Sequence, residues 1–114
     1  MDYRVHLKQF DGPLDLLLHL IEKAEVDIQD IFVSEITTQY LEYMKELDTI
    51  DMDTASEFLT IAAQLVFMKS KTLLPKNNSE EDTEQEDTEE SLIRRLREYK
   101  MYKQLSSVLS ELME

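Results

Sequence analysis

The chain has 114 residues and a net charge of −13, which leaves room for one small domain and an appendage and disfavours a direct grip on a phosphate backbone. It has no cysteine, so disulfides and thiolate metal sites are excluded and a reducing compartment is compatible. A single glycine, two prolines and 42% hydrophobic residues favour a few long helices over a sheet, and with no apolar run long enough for a secretory signal or a membrane span the expected location is cytoplasmic.

Residues 3–10 alternate, with Tyr3, Val5 and Leu7 against Arg4, His6 and Lys8. Period two predicts a short strand or extended arm, which must pair with another chain or lie on the helices. Helix 1 is expected from about Pro13 to Ala24. Pro13 suits the first helical position, and Asp15 sits favourably in the first turn. Leu14, Leu17, Leu18 and Ile21 form one face, while Leu16 and Leu20 fall on the other, and one core cannot bury both. Helix 2 is expected from about Val33 to Leu47, with Val33, Ile36, Tyr40, Met44 and Leu47 as its stripe.

Helix 3 is expected from about Asp53 to Leu74, capped by Asp51 or Asp53 and stopped by Pro75. Its polar residues Glu57, Thr60, Gln64 and Lys71 lie within about 60° of one another. Phe58, Ile61, Ala62, Leu65 and Met68 lie to one side; Leu59, Ala63, Val66, Phe67 and Leu74 lie to another. A helix this apolar should be buried nearly all round. Two arrangements would do it. Helix 3 could be the centre of a compact bundle wrapped by helices 1, 2 and 4, or an external partner could supply the second cover. Residues 76–91 are acidic without an apolar side chain, the pattern of a flexible linker. Helix 4 follows from about Glu90, with Leu92, Leu96, Tyr99, Tyr102, Leu105, Val108, Leu109 and Leu112 along it.

The expected fold class is therefore all-α: a small helical bundle with a short N-terminal extended segment, an acidic flexible linker and a separate C-terminal helix. The domains are 1–75, the linker 76–91 and the helix 92–114.

No catalytic, metal or cofactor-binding set emerges. His6 and His19 lack ligand-spaced partners and read as surface or boundary residues. The linker acids cannot be held at a fixed separation and lack the glycine turn of a calcium loop. Gly12 reads as a helix-start glycine, not a phosphate cradle. The chain is expected to hold other proteins rather than to do chemistry. The basic cluster Arg94, Arg95, Arg97, Lys100 and Lys103 reads as a nucleic-acid or membrane-surface contact in a regulatory adaptor, as the rim of an apolar stripe docking into a protein groove, or as compensation for the acidic linker.

The run F-D-G-P-L-D-L-L-L-H-L-I (Phe10 to Ile21) closely resembles the start of the bacterial kleisin family of segregation and condensation protein A. The likeness continues through V-D-I-Q-D-I (Val26 to Ile31), E-I-T-T-Q-Y-L-E-Y (Glu35 to Tyr43), A-S-E-F-L-T-I-A-A-Q-L-V-F-M-K-S-K-T-L-L-P (Ala55 to Pro75) and L-I-R-R-L-R-E-Y-K (Leu92 to Lys100). Phe32 stands where such proteins often place proline, which bears on the start of helix 2. Family members are about twice as long and end in a winged-helix domain, so the chain is expected to be an N-terminal fragment.

The resemblance implies a non-enzymatic bridge. The N-terminal helices would pack on the coiled-coil neck of a structural-maintenance-of-chromosomes (SMC) ATPase, through Leu59, Ala63, Val66, Phe67 and Ser70; the side carrying Phe58, Ala62, Leu65 and Lys69 is the rival face. The segment after the acidic tract would be captured by a dimer of segregation and condensation protein B, through Leu92, Leu96, Tyr99, Tyr102 and Leu105. DNA would be reached only through the complex, at the nucleoid, and no membrane is implied. Open apolar faces and an unpaired strand would also allow the isolated chain to self-associate.

Overall fold

The computed structural model describes residues 7–31, 35–72 and 80–113. Its α-helices are α1 (Pro13–Ala24), α2 (Ile36–Tyr43), α3 (Met52–Thr72) and α4 (Glu80–Leu112), with 3-10 turns at Leu7–Gln9, Ile28–Asp30 and Met44–Thr49. The all-α expectation holds, and no strand occurs among the described residues. Residues 3–6 of the expected strand lie outside them. Its remainder at Leu7–Gln9 is a 3-10 turn that buries Leu7 and donates the Leu7 N–H to the Glu46 carboxylate at 2.9 Å.

α1 has the expected bounds, and local chemistry sets both ends. Gly12 takes φ 142° and ψ −177°, a region essentially restricted to glycine. Pro13 follows as the first helical residue. Asp15 reaches back to accept the Asp11 N–H at 3.1 Å, satisfying a donor the helix start leaves unpaired. At the far end Glu25 adopts the left-handed conformation, φ 57°. Its N–H reaches the Glu22 carbonyl at 3.2 Å and the Val26 N–H reaches Ile21 at 3.3 Å, the paired bonds of a Schellman ending.

Leu16, Leu17, Leu18, Leu20 and Ile21 are all buried, which corrects the expectation that one core could not take both faces of α1. The reason is α4. It packs on α1 from outside the three-helix set and inserts Leu92 and Leu96 into the same core. The helix expected to be separate is therefore joined to the body along its middle.

α2 and α3 cover the rest of α1. Tyr40 is fully buried and donates its hydroxyl to the Phe58 carbonyl at 2.7 Å; burial pushes its pKa above the usual phenol range. Phe32, Val33 and Ser34, at the expected start of helix 2, lie outside the described residues. Its regular part ends at Tyr43 and tightens into the 3-10 turn, a frequent helix ending. Phe10 bridges α1 and α2, its ring 5.3 Å from His19 and 5.9 Å from Tyr43. α3 begins where Asp51 accepts the Thr54 N–H at 2.9 Å and the Thr54 hydroxyl at 3.1 Å; these bonds hold the Asp51 carboxyl below its ordinary pKa.

Of the expected linker 76–91, residues 76–79 lie outside the described residues and 80–91 are the first turns of α4. Once Leu92 and Leu96 are docked, extending the helix upstream costs only propagation, not nucleation. Glutamate and glutamine are good helix formers, and acids suit a helix N-terminus.

Candidate functional site

α3 divides into two apolar faces. Phe58, Ile61, Ala62, Leu65 and Met68 are buried and span an arc of about 120°. Leu59, Ala63, Val66, Phe67 and Ser70 occupy an arc of about 100° on the far side, over about 16 Å of helix. All five are exposed, with Leu59 at 51%, Val66 at 42% and Phe67 at 45% of their full surface. The rival face carrying Phe58, Ala62 and Leu65 is spent on the core, with Lys69 part-buried at its edge. Of the two arrangements expected for α3, the one in which helices 1, 2 and 4 wrap it on all sides is thus corrected: one face is packed and the other exposed.

α4 also carries two faces. Leu92 and Leu96 are buried and Tyr99 is part-buried, whereas Tyr102 and Leu105 are 65% and 57% exposed. The structure does not bring these five residues onto one surface. Steps of three from Leu96 to Leu105 total about 900°, or two and a half turns, so the ends of that series point in opposite directions. Leu92, Leu96, Tyr99 and Lys103 lie within about 60° and face the body; Met101, Tyr102, Leu105, Val108, Leu109 and Leu112 span about 120° centred roughly opposite. The latter six are all exposed. Met101, Val108, Leu109 and Leu112 belong with Tyr102 and Leu105, a grouping that the angular arithmetic could have found.

A polar contact missed from the sequence joins α4 to the start of α1. Lys103 donates to Asp15 Oδ1 at 2.6 Å. The Asp15 side chain is 9% exposed and that of Lys103 49%. The Lys103 ammonium also lies 6.0 Å from the Tyr99 ring centre. Burial alone would raise the Asp15 pKa. The hydrogen bonds from Lys103 and the Asp11 N–H, with the lysine charge, outweigh it and leave the carboxyl below its ordinary value. The Asp15 hydrogen bond likewise raises Lys103.

Arg94, Arg95, Arg97 and Lys100 are exposed. His19 is a boundary residue against Phe10; His6 lies outside the described residues. Among the described residues no group of three or more His, Cys, Asp or Glu is placed to hold a metal ion, and no helix is long and apolar enough to cross a membrane.

The described residues thus form a packed helical body with two exposed apolar strips, one on α3 and one on α4. The family profile described as segregation and condensation protein ScpA matches residues 20–114. The chain is 51% identical over 110 residues to segregation and condensation protein A of Caldanaerobacter subterraneus subsp. tengcongensis, covering 95% of this chain and 44% of that protein. It is 49% identical over 107 residues to the protein of that name from Clostridium perfringens, covering 94% and 43%. With that from Brevibacillus brevis it shares 49% over 119 residues, covering 98% and 47%. The chain belongs to the segregation and condensation protein ScpA family, and it spans under half the length of these relatives.

Proposed function

We propose that this chain is a non-enzymatic docking segment of a chromosome segregation and condensation protein, joining an SMC ATPase to a protein B dimer. The observation that carries the reading is the exposed strip Leu59, Ala63, Val66, Phe67 and Ser70, a mainly apolar face on a helix whose opposite face already completes the core. A strip one helix wide and about three turns long fits a partner helix packed alongside it, as a coiled-coil neck would provide. For the protein B dimer the proposed contact is the outward stripe of α4: Tyr102 and Leu105 of the expected set, extended by Met101, Val108, Leu109 and Leu112. Leu92, Leu96 and Tyr99 serve this contact indirectly, by seating α4 on the body. Association with DNA and the nucleoid would come through the complex.

Calorimetric titration with an SMC head carrying its adjoining coiled coil tests the first contact. Micromolar or tighter binding is expected. Val66→Glu with Phe67→Glu should abolish it while helix content and thermal stability persist, since central aromatic and aliphatic anchors typically carry ~2 kcal/mol or more each. Binding that survives the double variant refutes this face. The exposed arginines of α4 keep a nucleic-acid reading open to test: salt-sensitive binding to DNA by the chain alone would favour it.

A further inference from the structure

We propose that Asp15, Lys103 and Tyr99 form a latch that fixes where α4 leaves the body, and so sets the position of its outward stripe relative to the open strip of α3. The functional consequence, two docking surfaces held in a fixed relation, rests on the reading above; the latch itself does not.

Three observations carry it. First, the bond sits at the departure point. Leu92 and Leu96 are buried and Tyr99 part-buried, Lys103 bonds Asp15, and every residue from Gln104 to Met113 is exposed. Beyond Lys103 the helix runs into solvent, so a small rotation at that turn would swing its end widely. Second, the acceptor is almost fully enclosed, with the Asp15 side chain at 9% exposure. A carboxylate out of water needs its lone pairs filled, and losing a partner is costly. The Asp11 N–H takes Oδ2 and Lys103 takes Oδ1, so with α4 packed, losing the Lys103 ammonium would leave Oδ1 without its charged partner. That penalty makes the contact directional, which apolar packing at Leu92 and Leu96 alone is not. Third, Lys103 lies on the body-facing arc of α4 with Leu96 and Tyr99, about 160° around the helix from Leu105. A partner seated on the outward stripe would not compete for the latch.

The charged groups around the bond are Asp11, Glu57 and Arg95, which line the same groove as Asp15 and Tyr99, and Glu22, which acts on Lys103. Arg95 is the one cation among these that could replace Lys103.

The absence of native cysteine makes the test clean. Ser56→Cys on α3 and Ser110→Cys on the projecting end, both exposed positions, accept spin labels in the 114-residue chain. Pulsed dipolar spectroscopy should give one narrow distance distribution. Lys103→Met should lose that narrow distribution while circular dichroism keeps its helix content, and Lys103→Arg should restore it. A Lys103→Met distribution as narrow as the parent's overturns the latch, as does a parent already broad. No partner is present in this measurement. A failed latch therefore leaves the docking reading standing, and a failed titration with the SMC fragment leaves the latch standing.

Discussion

Replacing Leu96 with alanine separates two pictures of α4. If the helix is a detached ligand awaiting a partner, Leu96→Ala and Leu105→Ala are equivalent and nearly silent. In the structure Leu96 is fully buried with Leu92, Leu16 and Leu20 in the core, whereas Leu105 is 57% exposed. Removing a buried leucine side chain costs its transfer free energy and leaves a cavity, together about 2–5 kcal/mol. Taking ~3 kcal/mol against the ~5–15 kcal/mol typical of a small domain, a fifth to over half of the stability is lost. With a urea slope of ~2 kcal/mol/M the midpoint falls by roughly 1.5 M. Leu105→Ala should stay within about 0.5 kcal/mol of the parent, as an exposed change between two good helix formers. Urea titration of the three proteins, followed by circular dichroism, is the assay. Midpoints for Leu96→Ala and Leu105→Ala that agree within error would refute the packed position of α4. So would a Leu96→Ala transition that splits in two, with α4 melting first and the body unchanged.

Gly12→Ala should destabilise the chain by ~1–3 kcal/mol in thermal or urea melts, because alanine cannot hold φ 142°, ψ −177° without strain; no atom lies within 4 Å of the added methyl, so the cost is conformational rather than steric. Glu25→Gly should stabilise by ~0.5–1 kcal/mol in the same measurement, relieving a non-glycine residue at φ 57°. Tyr40→Phe should cost ~1 kcal/mol, the usual net value of a buried hydrogen bond, here the one to the Phe58 carbonyl. The latch has a pH window with two edges. Asp15 titrates below its ordinary 3.8, so its contribution is complete above that pH and is lost as pH falls through the lowered value. Lys103 titrates above its ordinary 10.5, so its contribution is complete below that pH and is lost as pH rises through the raised value. NMR titration of the Asp15 carboxyl should place its midpoint below those of exposed aspartates, and Lys103→Met should move it up.

The start of α1 was legible because Gly12 and Pro13 act through backbone geometry, which needs no tertiary information. A cap of α3 by Asp51 or Asp53 was legible on local chemistry, and the structure selects Asp51. What the sequence left undecided was which apolar face of a helix meets the core. For α3 both faces are rich enough, and only the positions of α1, α2 and α4 settle that Phe58 and Leu65 go inward while Val66 and Phe67 are exposed. For α4 the angular signal was present, because Leu96 and Leu105 stand nine residues apart. Joining them by steps of three concealed a half-turn of drift. The acidic stretch read as a linker because composition measures whether a segment can bury itself. It does not register a helix propagated upstream from a segment that is already docked. The Asp15–Lys103 bond had no local signature at all, spanning 88 residues.

The two surplus apolar faces met different fates, and that difference bears on function. The second face of α1 is absorbed within the chain, because Leu92 and Leu96 of α4 complete the enclosure of its leucines. The second face of α3 is not, although α4 also touches α3. The same helix could not cover both. To seat Leu92, Leu96 and Tyr99 on the body and place Lys103 beside Asp15, α4 must turn its other apolar arc outward, away from the chain that carries it. The outcome is a closed core bounded by one strip on α3 and one stripe on α4. Neither demands that the core open before a partner binds. An alternative in which α4 sheltered Val66 and Phe67 would hide one surface with the other, so that each partner had to displace the chain's own helix. On the proposed reading, the observed packing removes that competition. Substitutions at Phe67 and at Leu105 should therefore each abolish one contact and leave the other at its parental affinity.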